Sequence, residues 1–388
     1  MLGTVLEERY KFVKKLNQGQ WTEIFKAQDI KSKGKVAIKI EKSPNDSNIA
    51  NELQFLSKFY YIQGFPKLLS QGNYRGRQYF IMNYLGKSLK TKFAQTKNKF
   101  SIGCVLRIAE ELLLRIESLH NSDILHRNIK PENILTGYGL NWQTLSLINY
   151  SSALLISDNN DPNYPNKKLR PVTNLLYSSA NSMSSIKYSK KDDLESITYV
   201  LVHFCNGKLP WIKDGVTDRQ IKRIKEQIPL YELCEGCPTE FVHIISYIKS
   251  LKCDDLPDYE MIRYSIKEIS KKKKIIRNYD WAISHEKMIA KAKTDKSRIP
   301  FNWNLSIKRQ ADKIRVTSGF EKKKINFGLV TILKAKSKSP DRKIDEKDDD
   351  VLNLMSSDTP KLKNYPEIQN RVNLFKLRKE FLTQSFSS

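Results

Sequence analysis

Ten consecutive residues, HRNIKPENIL from His126 to Leu135, set a cation, Lys130, between two amides, Asn128 and Asn133. A third amide, Asn149, follows in LINYSSA, and upstream the otherwise apolar run VAIKI of VAIKIE carries Lys39, with Glu52 in the next segment, IANELQFL. Lysine supplies positive charge to an anionic ligand. A neutral amide can donate and accept hydrogen bonds but cannot act as a general base. Magnesium prefers hard anionic oxygen, and the oxygens of Asn128, Asn133 and Asn149 are all neutral. The set can therefore bind and orient, while proton removal and tight metal holding lack their usual carboxylates.

The elements that must position these residues are legible in the periodicity. FVKKL, EIFKAQD and KVAIKIE read as strands, with Lys33-Gly34 as the turn between the last two, and IANELQFLSKFYY has helical spacing. PKLLSQGNY and RQYFIMNYLG complete a small antiparallel sheet carrying one helix. From Ser101 the pattern changes to longer helices, beginning with SIGCVLRIAEELLLRIESLHN and continuing through DLESITYVLVHFCNG and EFVHIISYIKSL to about Trp281. A β-rich part and an α-rich part thus meet near Gly86.

HRNIKPENIL resembles the catalytic loop of protein kinases, in which an aspartate follows His-Arg, a lysine comes two residues later and an asparagine three after that. Here those places hold Asn128, Lys130 and Asn133. LINYSSA stands where kinases carry Asp-Phe-Gly and reads Asn149-Tyr150-Ser151. The resemblance narrows to the casein kinase I family through NYLGKSLKTKF, LLRIESLHNSDILHRNIKPENIL, the stretch Tyr177-Ser178-Ser179-Ala180-Asn181 in place of Ala-Pro-Glu, KDDLESITYVLVHFCNGKLPW, LCEGCPTEF and LPDYEMIR. It covers roughly residues 9–283. It implies an α+β, two-lobed protein kinase fold, with a small β-rich N-lobe over about 9–85 and a larger α-helical C-lobe over about 86–283.

The same resemblance implies the roles. Asn128 replaces the catalytic base, and Lys130 neutralises charge on a transferred phosphoryl group. Lys39 holds nucleotide phosphates and Glu52 pairs with it, while Leu16, Gly19, Ile24, Ala37, Met82, Leu85 and Leu135 surround the nucleotide. Asn133 and Asn149 occupy the metal positions, and Arg127 and Asp193 are structural, Asp193 bracing the loop's backbone. The glycine-rich loop reads Asn17-Gln18-Gly19-Gln20-Trp21-Thr22 and keeps only Gly19. Ser151 replaces the glycine that lets the following segment hinge, and Leu176 replaces an arginine that receives acidic or phosphorylated substrates. General-base catalysis is worth about 10² to 10⁴ in rate, so the first loss alone makes a slow enzyme. With the metal position also neutral, the expectation is a pseudokinase acting as a regulatory or scaffold module. The alternative is a weakly active serine/threonine kinase. ATP binding stays open, with magnesium held weakly or not at all.

The formal net charge is +26, and residues 285–388 carry 24 Lys+Arg against 13 Asp+Glu. Segments such as KAKSKSPDRKIDEKDDD bury little, so 284–388 reads as a basic, mostly disordered tail, with an amphipathic helix near 370–382 in NRVNLFKLRKEFL. Such charge suits an acidic protein surface or nucleic acid, and the folded part suits a protein partner such as an active kinase or a kinase substrate. Lys271 to Lys274 read as a solvated helix end in preference to a nuclear-import or nucleic-acid patch. The five cysteines fit reduced thiols, the CxxC of Cys234 and Cys237 included. No 18-residue apolar run occurs, and a cytoplasmic or nuclear location is expected.

Overall fold

The computed structural model describes residues 1–44, 49–59, 62–159, 174–184 and 187–284. The tail and its expected helix near 370–382 lie outside them. Six strands form one antiparallel sheet: β1 (Val5–Leu6), β2 (Tyr10–Gln18), β3 (Thr22–Asp29), β4 (Lys35–Glu41), β5 (Leu68–Tyr74) and β6 (Arg77–Asn83), in the order β1-β2-β3-β4-β6-β5. Helix α1 (Ile49–Leu56) lies between β4 and β5 in sequence. Five of these strands match the sequence reading. The sixth, β1, starts before residue 9; it is too short to show a period, yet it pairs Val5 with Lys11 and Leu6 with Tyr10 and buries Leu6.

Alternation along β4 decides what the sheet can present. Val36, Ile38 and Ile40 join Phe12, Phe25 and Ile81 in a cluster on one face. Ala37 faces the other way, into the core shared with the helical part, and Lys39 follows it on that side. A central strand flanked by β3 and β6 is buried almost throughout, so the one lysine in VAIKI is buried with it.

The chain leaves the sheet at Gly86, whose N–H donates to Thr136 O at 2.7 Å. A β-carbon there would lie 2.2 Å from Thr136 Oγ1 and 2.6 Å from Gly137 O, so the crossing admits only glycine. The helical part follows with α2 (Leu89–Gln95) and α3 (Ile102–His120). Short strands β7 (Ile124–Leu125), β8 (Ile134–Thr136), β9 (Leu145–Leu147) and β10 (Leu154–Leu155) come next, then α4 (Ile156–Asn159). Helices α5 (Lys190–Asn206), α6 (Asp218–Gln227), α7 (Leu230–Leu233), α8 (Glu240–Ser250) and α9 (Tyr259–Lys272) complete it. Helix α5 is buried nearly all round, as a helix at the centre of a domain must be. It starts in a capping box between Ser189 and Asp192 and stops at Gly207, whose left-handed φ of 79° a side chain would strain. Lys271 to Lys274 are exposed at the end of α9, where Lys273 reaches Glu240. Among the described residues no helix is long and apolar enough to cross a membrane.

The fold closes on aromatic residues at its end. Tyr279 stacks on Trp281 with centroids 4.5 Å apart, Trp281 meets Phe100 at 5.7 Å, and Asp280 accepts from the Ser101 N–H that opens α3. Trp281→Ala should therefore lower unfolding free energy by about 3–5 kcal/mol, measured by urea denaturation. A loss under about 1 kcal/mol would place the end of the folded unit before Tyr279.

Candidate functional site

The site is built outward from a carboxylate. Asp193, in the first turn of α5, is buried and accepts from the backbone N–H groups of His126 at 2.7 Å and Arg127 at 2.9 Å. His120 Nε2 donates to it at 3.1 Å, while His120 Nδ1 faces the Tyr259 hydroxyl. Burial opposes the Asp193 charge, but the His120 hydrogen bond and the surrounding donors outweigh it and hold its pKa below the usual value. This grip bends the chain: Arg127 takes a φ of 64°, and its guanidinium lies over the Tyr188 ring at 4.0 Å.

His126 passes the constraint on. Its Nδ1 accepts from the Asn128 N–H at 3.2 Å, which leaves Nε2 to donate to Ile148 O at 3.1 Å. One neutral imidazole thereby fixes both Asn128 and the strand leading to Asn149. Burial lowers the pKa of His126, and of His120, below the usual value of 6.5.

The three amides are wired largely to the protein itself. Asn149, at a φ of 70°, accepts at Oδ1 from Lys39 Nζ at 3.4 Å and from Ser151 Oγ at 2.9 Å. Its Nδ2 donates to Asn133 Oδ1 at 3.4 Å, and Asn133 Nδ2 donates to Asn128 O at 2.8 Å. The two oxygens at the metal positions are thus already acceptors. They are neutral, and the carboxylate of Glu52 is ion-paired with Lys39 and also accepts from the Tyr150 N–H at 3.3 Å. Such a donor set does not fit magnesium, which demands several hard, anionic or water oxygens. Asn128 Oδ1 differs: it is buried and has no hydrogen-bond partner among the described residues. A hydroxyl could donate to it, but the amide cannot remove the proton.

Helix α1 is held in place by a residue the sequence reading passed over. Asn51 Nδ2 lies within 3.2–3.4 Å of the carbonyls of Tyr150, Ser151 and Ala153. The Lys39–Glu52 pair is formed, and Tyr150 is fully buried, donating from its hydroxyl to Leu147 O at 2.8 Å.

The nucleotide candidates are dispersed over several elements. Ala37 and Met82 pair across β4 and β6, Ile24 pairs with Lys39, and Leu135 bridges to Ser88 beyond the buried Leu85. Leu16 and Gly19 are exposed. At the end of β2 Asn17 Oδ1 accepts from the Gln18 N–H at 2.8 Å, so a donor that could face a phosphate is satisfied by its own neighbour. Lys130 is half-buried and opens the short turn Pro131–Asn133. Cys234 is buried, its thiol pushed up to about 12, and no group of three His, Cys, Asp or Glu able to hold a metal occurs among the described residues.

Compared with known protein families, residues 10–280 match the protein kinase domain.

The two buried histidines set a pH dependence. Their folded pKa values are lowered, so the stability they contribute is present above the unfolded value near 6.5 and is lost as pH falls below it. The melting temperature should drop between about pH 7.5 and about pH 5, and His126→Gln should flatten part of that drop. Asp193→Ala, which strands buried donors, should cost about 3–5 kcal/mol; a melting temperature indifferent to both changes would refute this bracing.

Proposed function

The chain belongs to the protein kinase family, and from that premise we propose that it is a casein kinase I-like pseudokinase, a regulatory or scaffold module that binds protein without efficiently phosphorylating it. The observation that carries this reading is the amide set: Asn128, Asn133 and Asn149 put neutral groups at the base and metal positions, and two of the three oxygens are engaged internally. Phosphoryl transfer consists mainly of positioning and charge neutralisation. A site without a metal carboxylate or a proton acceptor is weak in the second.

Nucleotide binding without metal fits the same charges. Lys39 is balanced by Glu52, while Lys130 adds a cation that an aspartate at position 128 or 149 would have offset. Phosphates would meet Lys39 and Lys130, and the base would lie against Ala37, Met82, Leu85 and Leu135. Basic character and the absence of an apolar span in the described helices accord with a location in cytoplasm or nucleus.

A second reading, a slow serine/threonine kinase, draws on one observation: the Lys39–Glu52 pair and α1 are assembled as an active site needs them. A phosphotransfer assay with magnesium or manganese separates the two. The pseudokinase reading expects no incorporation above the Lys39→Ala background, and a gain of about 10² or more in Asn128→Asp, Asn149→Asp if the rest of the site is competent. Lys39-dependent incorporation by the unaltered protein would establish the slow enzyme instead.

A further inference from the structure

Three of the five cysteines lie at the end of α5 and in the turn that joins α7 to α8. Cys205 is the penultimate residue of α5 and fully buried; Cys234 directly follows α7, and Cys237, partly exposed, comes just before α8. The Cys237 N–H donates to Cys234 O at 2.9 Å, closing a turn whose third residue, Gly236, has a φ of 75°. A β-carbon on Gly236 would lie 2.7 Å from Asn206 Oδ1, so glycine lets this turn press against the last residue of α5.

The close approach brings sulfur to sulfur. The Cys237 thiol donates to the Cys205 sulfur, and it lies 4.0 Å from Asn206 Oδ1. That hydrogen bond, with burial, holds the Cys237 pKa far above the ordinary thiol value. Cys234 feels Cys237 through charge, and its own pKa is raised chiefly by burial. Contact thus singles out Cys205, not the nearer residue in sequence, as the partner of Cys237. A thiol this reluctant to ionise reacts slowly, because the thiolate is the nucleophile. Once one sulfur is oxidised, its partner is already in place and no encounter has to be found.

We propose that Cys205 and Cys237 form a disulfide on sustained exposure to a hydroperoxide, locking the end of α5 to the turn before α8. Cys237, the partly exposed member, attacks the peroxide: its sulfur gains one oxygen, the O–O bond breaks, and its proton passes to the leaving oxygen as an alcohol, or as water when the oxidant is hydrogen peroxide. Cys205 then attacks the sulfenic sulfur; the S–S bond forms, the S–O bond breaks, and water leaves with the Cys205 proton. Two thiols lose two electrons between them and one peroxide is reduced. Slow entry makes the pair indifferent to brief oxidation, and rapid closure spares Cys237 from sulfinic acid. The bond closes a loop that contains α6 and α7, so it stabilises the fold by restricting the unfolded chain.

The test exposes the full chain, reduced beforehand, to hydrogen peroxide at mildly alkaline pH, alkylates the remaining thiols and maps the peptides by mass spectrometry without reduction. Cys253 is exposed and acts as an internal clock: it should be oxidised first. A linked peptide pair containing Cys205 and Cys237 should then appear, and it should vanish with dithiothreitol. The melting temperature of the cross-linked protein should rise by about 5 °C or more. Cys253→Ser should keep the cross-link and the rise, while Cys237→Ser, whose melting temperature before oxidation reports its fold, should lose both. No linked pair once Cys253 is fully oxidised, Cys237 recovered as sulfinic or sulfonic acid, Cys237 joined to Cys234, or a cross-link that leaves the melting temperature unmoved would each overturn the proposal.

Discussion

The loop that carries Asn128, Lys130 and Asn133 depends on one buried carboxylate. Asp193 gathers two successive backbone N–H groups and an imidazole at the start of α5, and it is the centre of α5 that the helical core is packed around. An aspartate buried this deeply persists only because every oxygen is matched by donors. Its hold on His126 and Arg127 gives the loop its left-handed kink, and His126 carries the geometry to Asn128 and Ile148. The loop is therefore kept in shape by groups other than the three amides.

That separation explains how the fold tolerates asparagine at positions 128 and 149. Asparagine adopts the left-handed backbone of position 149 at little cost, and its amide supplies a donor toward Asn133 that a carboxylate lacks. Asparagine at position 149 thus satisfies the local hydrogen bonding without a charge. Lys39 remains neutralised by Glu52, so the site is stable with no ligand to balance it. On the proposed reading, the architecture of a kinase is retained as a scaffold while the two charges needed for transfer are gone.

Much of this was legible in the sequence, and the remainder was hidden for physical reasons. Long elements with clear period, such as β4 and α5, were visible, and so was the meeting of sheet and helices at Gly86, since composition changes there. Strand β1 was not, because two residues carry no period. The part played by Asn51 was hidden because a polar residue at the start of a helix ordinarily faces solvent; only the arrival of Tyr150 to Ala153 beside it gives it work. Lys225 was the least legible: within DRQIKRIKEQ it reads as one more solvated cation, yet it is fully buried, and burial lowers its pKa to about 7. Local sequence cannot show that the chain from Leu175 to Ser178 will bring two carbonyls to it. Residue identity made the three amides visible, but their mutual wiring through Oδ1 and Nδ2 required coordinates.

The central claim is that this site does not itself hold a divalent metal. It is tested most directly by the thermal shift produced by ADP or ATP in excess EDTA and again in excess magnesium. The account predicts that the two shifts are the same, whatever their size, because no carboxylate waits for the ion. A nucleotide-induced shift that appears only with magnesium, and vanishes in Asn149→Ala, would contradict it.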